Sequence, residues 1–99
     1  MPLHVGCLDF DLHLPDCRSL KAKRAVVKPI VEGIKRRYSA AAAEVEFQNK
    51  WQRARIAVAV VASSEHHACD ILDEVERFVW SRPDVQVLKT TRRWLEADT

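Results

Sequence analysis

Residues 12–37 read LHLPDCRSLKAKRAVVKPIVEGIKRR, and this stretch decides the fold. It opens as the end of a strand and turns at Pro15–Asp16, where proline stops pairing. It continues as a helix that carries much of the positive charge. Ser19 stands where an N-cap is needed, its hydroxyl placed to accept from the first turn. At about 100° per residue, Leu20, Val27, Ile30, Val31, Ile34 and Tyr38 fall within one arc, the face that packs on a sheet. Pro29 interrupts the helix. It has no N–H and its ring crowds the preceding turn, which predicts a kink near residues 25–29. Gly33 weakens the second half slightly or allows another element to approach closely.

Outward from this stretch, Leu3 to Leu14 reads as a strand. Leu8, Phe10, Leu12 and Leu14 alternate with Cys7, Asp9, Asp11 and His13, the period of a half-buried strand. Leu3 and Val5 fall on the other parity. Either the strand starts buried on both faces or a bulge near Gly6 switches them. Ala40 to Phe47 reads as a second strand on the alternation of Glu44, Val45, Glu46 and Phe47, with Gln48 to Gln52 as the connection. Arg55 to Ala62, RIAVAVVA, has the β-branched, nearly continuous apolar character of a central strand. Ser63 or Ser64 caps a second helix, with Glu65 suiting its dipole and a stripe of Ala68, Ile71, Leu72, Val75, Phe78 and Val79. A turn over 81–84 leads to a last strand, Asp84 to Thr91. Arg92 to Thr99 reads as a short tail, partly ordered through Trp94 and Leu95. The order β-α-β-β-α-β places a hairpin between two crossovers. That is an α+β, ferredoxin-like sandwich: a four-stranded antiparallel sheet with both helices on one face, in one domain over residues 1–99.

Ninety-nine residues suffice to bury about 60–70 % of the unfolded surface without staples. The net charge of +2 argues for solubility and nothing more. Its distribution is more informative. Arg18 to Arg37 holds eight Lys and Arg against Glu32, whereas Ser64 to Trp80 holds five acids against Arg77. One helix is basic and one acidic. Three cysteines without a CxxC pair fit a reduced, cytoplasmic protein. No signal-peptide pattern opens the chain, and no apolar run approaches the roughly 18 residues of a membrane span.

Two blocks carry a family likeness. LHLPDCRSLKAKR resembles the opening signature of the YlxP-like family of small uncharacterised bacterial proteins, HLP followed after three residues by SLK-x-KR. AAAAEVEFQNKWQRARIAVAVVAS resembles that family's second block, an AEV strand leading through a polar turn to a WQ pair and an apolar strand. Asn49 stands where the family commonly has an aspartate, so nothing requiring a carboxylate there carries over. The resemblance implies a ferredoxin-like fold. The family's genomic placement beside translation and ribosome-maturation factors implies a role around RNA or the ribosome.

The basic helix is the first candidate site. Lys21, Arg24, Lys28 and Lys35 fall within about a 60° arc, flanked by Arg18 and Arg36. A row of cations suits phosphates, each neutralised phosphate releasing counterions; the plain alternative is a solvated helix face. The row has no tight interleaving with exposed aromatics, so base stacking is not indicated. The open sheet face shows Asp9 and Asp11, which repel phosphate and disfavour binding in the manner of an RNA-recognition domain. Those acids fit cross-strand pairing with residues such as Arg55 or Lys89. The small apolar residues of the third strand fit self-association through the sheet face or edge. Trp51 and Gln52, in the hairpin connection, are candidate partner contacts, or else cover the sheet edge.

His66, His67 and Cys69 cluster without the remaining ligands a metal needs. Cys17 lies beside Arg18 near a helix start, where a thiolate is favoured, but no base accompanies it, and a small buried or half-buried thiol is expected. No catalytic triad spacing and no glycine-rich phosphate loop is present. The sequence therefore reads as a non-enzymatic factor without cofactor or metal, binding structured RNA or a ribosomal particle through the first helix. The alternative is a homodimeric interaction module.

Overall fold

The computed structural model describes residues 3–95. Its elements are β1 (His4–His13), α1 (Leu20–Tyr38), β2 (Ala41–Glu46), β3 (Arg53–Ala62), α2 (Glu65–Trp80) and β4 (Gln86–Leu95). The strands form one antiparallel sheet in the order β2-β3-β1-β4. Each helix links two strands that lie on either side of a third, and both helices pack on one core. This is the expected ferredoxin-like sandwich.

The alternation in β1 sets the two faces. Gly6, Leu8, Phe10 and Leu12 are buried, while Cys7, Asp9, Asp11 and His13 are half-buried on the other side. β3 matches it with Ala54, Ile56, Val58, Val60 and Ala62 buried. Ile30 and Ile34 of α1 and Leu72, Val75 and Val79 of α2 close over this surface. Each fully buried Leu, Ile or Phe contributes roughly 1.5–3 kcal/mol, so these residues hold the layers together. The hydroxyl of Ser19 accepts from Ala22 N and that of Ser64 from His67 N, as capping requires. Leu20 and Tyr38, expected on the buried face of α1, are only half-buried, because they lie at the helix ends.

Several details depart from expectation. No bulge occurs at Gly6, since β1 pairs with β3 in continuous register from His4 to His13. The irregularity lies between Asp11 and Leu12, against β4. Gly6 instead makes room: a Cβ there would stand 2.6 Å from Leu72 Cδ1 and 3.1 Å from Trp94 Cζ3. Gly33 does the same between the helices, where a Cβ would meet Phe78 Cζ at 2.8 Å. α1 runs unbroken through exposed Pro29, so the expected kink interrupts no helical residue.

β3 begins at Arg53, two residues before the expected start, and β4 continues to Leu95, where a tail was expected from Arg92. Arg92 sits opposite inward-facing Leu8 and is neutralised by Asp73 at 2.9 Å and Glu76 at 3.2 Å on α2. An arginine on the helix side of an edge strand is tolerated because the acidic helix supplies both partners. Residues 96–99 of the expected tail lie outside the described residues.

Candidate nucleic-acid interface

The cation row forms on α1. Arg18, Lys21, Arg24, Lys28, Lys35 and Arg36 are all exposed. Lys35 lies 3.6 Å from Glu32, one turn away. Among the described residues no acidic side chain pairs with Arg18, Lys21, Arg24, Lys28 or Arg36. Arg24 and Lys28 border a groove of about 240 Å³ between α1 and β2, floored by Val27 and Val31 and rimmed by Glu32 and Glu44. Both acids are already paired, with Lys35 and Lys23 respectively, so the groove rim has net positive charge to offer.

Lys23 belongs to the same charge run but not to the row. It is 1 % exposed, with Nζ 2.7 Å from Glu44 Oε2 and donating to the carbonyl of Phe47. The Glu44 contact is a close charge pairing. Helical-wheel arithmetic contained the signal. Lys23 lies about 300° round from Leu20, inside the apolar arc and away from the row. Its stem fills core space while its head ties α1 to the end of β2.

The loop after β2 is fastened on several sides. Phe47 has a φ of 66°, a left-handed conformation strained for a bulky side chain. Its carbonyl accepts from Lys23 Nζ and from Lys50 N at 2.9 Å, and its ring lies 4.9 Å from the Arg53 guanidinium carbon. Gln52 Nε2 donates to Pro15 O at 3.3 Å and to Cys17 O at 3.2 Å, and Gln52 O accepts from Leu14 N. The amide of Gln52, expected beside Trp51 as a partner contact, is thus engaged inside the protein, joining this loop to the turn before α1. Trp51 is different: it stands 53 % exposed on the fastened loop. It borders a hollow of about 610 Å³ with His13, Asn49, Lys50, Gln52 and Arg53. Trp51 and the basic helix are far apart in sequence; the Gln52 bonds bring the Trp51 loop to the turn that precedes α1.

The acids of the open sheet face are paired across strands, as cross-strand pairing predicts, while Lys89 and Arg93 of β4 stand exposed on the same face with no acidic partner among the described residues. Arg53 donates through Nε and Nη2 to the two Asp11 oxygens, both at 2.7 Å. Arg55 reaches Asp9 and, through Nη1, Glu46 at 2.7 Å. The partners are diagonal ones, since Asp11 stands directly opposite Arg55 and His13 opposite Arg53. The Arg53 bond holds the Asp11 carboxyl below its ordinary value, and Asp11 in turn raises Arg53. Further along the face, Val61, Val5 and Leu95 form one row across β3, β1 and β4. Val61 is 67 % and Leu95 65 % exposed.

Cys17 is buried, and burial pushes its thiol up, aided by Asp16 and Asp84. The thiolate favoured by its position beside Arg18 is therefore suppressed. His66 lies 3.5 Å from Asp70 on the exposed side of α2. Among the described residues no three His, Cys, Asp or Glu side chains gather as metal ligands, and no helix is long and apolar enough to cross a membrane.

Comparison with known proteins gives a family and a fold. A family model described as "Protein of unknown function (DUF503)" matches residues 5–92. Uncharacterized protein YlxP of Bacillus subtilis (strain 168) is 30 % identical over 90 residues, covering 91 % of this chain and 98 % of that protein. A de novo designed protein, Foldit4, superposes with a TM-score of 0.57 at 11 % identity, over 96 % of this chain and 99 % of its own. A dimeric ferredoxin-like protein from an uncultured marine organism superposes with a TM-score of 0.51 at 13 % identity, over 100 % of this chain and 92 % of its own. At these identities the structural likenesses speak for the fold alone. The chain belongs to the DUF503 family, in agreement with its two motif blocks.

Proposed function

We propose that this DUF503 chain is a non-enzymatic factor that associates with RNA or the ribosome, in translation or ribosome maturation, through α1. One observation carries the reading: Lys21, Arg24 and Lys28 stand exposed in a row with no acidic partner among the described residues. Arg53, Arg55 and Arg92 of the sheet are each matched to acids and Lys89 stands opposite Asp11, so the α1 row offers phosphates the longest run of unspent charge among the described residues. The test is co-sedimentation with ribosomes over a salt series, for the natural chain and for Lys21→Gln/Arg24→Gln/Lys28→Gln. The triple variant is expected to bind more weakly and to flatten the salt dependence by about 0.7–0.9 log units for each phosphate it no longer neutralises. Identical curves for the two proteins would remove α1 as the interface.

A second reading, a homodimer through the sheet's open face or edge, is supported by the apolar row Val61–Val5–Leu95, exposed at Val61 and Leu95. The dimeric ferredoxin-like neighbour uses the same fold in a dimer. Light scattering at high micromolar concentration tests it, and a mass of one chain, 11.4 kDa, would count against it. The two readings are compatible, because a dimer doubles the basic surface.

A further inference from the structure

We propose that the hollow beside Trp51 is a stacking site for an unpaired nucleobase. The RNA held along α1 would then carry a single-stranded segment next to its structured part. This rests on the RNA reading above and names the feature of the RNA that the site selects. Four observations converge on it.

First, Trp51 is half exposed on a loop that is far from loose. Lys23, Gln52 and the Phe47 carbonyl fasten it, so the backbone that carries the exposed indole is already ordered. Second, the hollow that Trp51 borders has cationic and neutral polar side chains and no carboxylate on its rim. Arg53 spends Nε and Nη2 on Asp11, leaving Nη1 with no side-chain acceptor among the described residues. His13 bonds Gln86 Oε1 through Nδ1 at 3.0 Å, which leaves Nε2 open, and Lys50 is exposed. Indole, guanidinium, imidazole and ammonium around one hollow match the flat face and phosphate of a nucleotide. Third, Gln52 ties the loop to the turn at Pro15–Cys17, immediately before Arg18 and Lys21. A strand leaving the phosphate row at the start of α1 therefore meets Trp51. Fourth, Trp80, also exposed, ends α2, whose five acids outnumber the single Arg77 of its last turn, the reverse of the charge balance around Trp51.

The test compares two RNAs of equal charge, a blunt hairpin and a hairpin with a short unpaired overhang. Binding is measured by fluorescence anisotropy for the natural chain, Trp51→Ala, Trp51→Phe and the triple α1 variant. The overhang should bind more tightly than the blunt RNA. Trp51→Ala should cost between about 5- and 150-fold on the overhang RNA, leave blunt binding and its salt slope unchanged, and be largely rescued in Trp51→Phe. The exposed position of Trp51 leaves the fold intact, which a thermal melt of each variant checks. Equal affinity for both RNAs, indifferent to Trp51 yet abolished in the triple variant, overturns the stacking site and leaves the α1 reading standing. Absence of binding to either RNA overturns both.

Discussion

On the open sheet face, Arg53 and Arg55 lie 2.7 and 2.5 Å from Asp11 and Asp9; on α1, Arg24 and Lys28 border a groove whose two acids already have partners. The two regions carry the same kind of charge in opposite conditions. Between β1 and β3, acid and base stand at diagonal positions, and each of these charges is neutralised where it stands. At the start of the helix, Lys21, Arg24 and Lys28 follow one another at three and four residues, and Glu32 further along is already taken by Lys35. A count of lysines and arginines cannot tell these regions apart; the local partners can. Lys23 sharpens the contrast, because it lies within the basic helix yet is paired like a sheet arginine and, unlike one, enclosed.

Lys23→Met gives the largest expected effect. It removes the ammonium that matches Glu44 and binds the Phe47 carbonyl, leaving a carboxylate with only 21 % of its side chain exposed. Breaking such a pair costs about 3 kcal/mol, read as a lower urea midpoint at constant slope. Lys21→Met, two residues away, should stay within about 0.5 kcal/mol. Equal losses for the two variants would erase the distinction between the enclosed lysine and the row.

That distinction was partly legible in the sequence. The sheet was readable because period-2 alternation reports burial directly, and the row was readable because a helix repeats its faces. The enclosed position of Lys23 was available from its angle on the wheel, but a lysine is rarely assigned to an apolar arc. The end of β4 was not legible. Arg92 reads as a break until Asp73 and Glu76 arrive from α2, and that meeting is decided by tertiary packing. Nor could local pattern place Trp51 near α1, since the tie is made by Gln52 across more than thirty residues of chain. Short-range periodicity records which face a residue occupies, whereas the partner of a charge is a long-range fact.

The next effect is smaller and lies in the sheet. A double-mutant cycle on Asp11→Asn and Arg53→Gln should give a coupling of about 0.2–1 kcal/mol, as for exposed cross-strand pairs. A coupling of zero would mean that the pairing adds nothing to stability, and the face would count as charged after all. The pH dependence has a definite sign. The folded Asp11 carboxyl lies below its ordinary 3.8, so its contribution is fully present above about that pH and is lost as pH falls through the lower folded value. Asp11→Asn should flatten the acid limb of the stability curve there and leave neutral pH to the alkaline side unchanged in shape.

The smallest expected effect has the opposite sign. Arg24 lies three residues from Lys21 and four from Lys28, and like charges at these spacings destabilise a helix by about 0.2–0.5 kcal/mol per pair. Lys21 also occupies the first turn, where α1 carries no acid and the helix dipole disfavours a cation. Lys21→Gln/Arg24→Gln/Lys28→Gln should therefore leave stability unchanged or raise it by a few tenths of a kcal/mol in urea titrations at low salt, the gain fading as salt screens the repulsion. A substitution that stabilises the protein while weakening its hold on RNA identifies charges kept for something outside the fold. A loss of stability comparable to that of Lys23→Met would show that the row is part of the scaffold, and the contrast between helix and sheet would close.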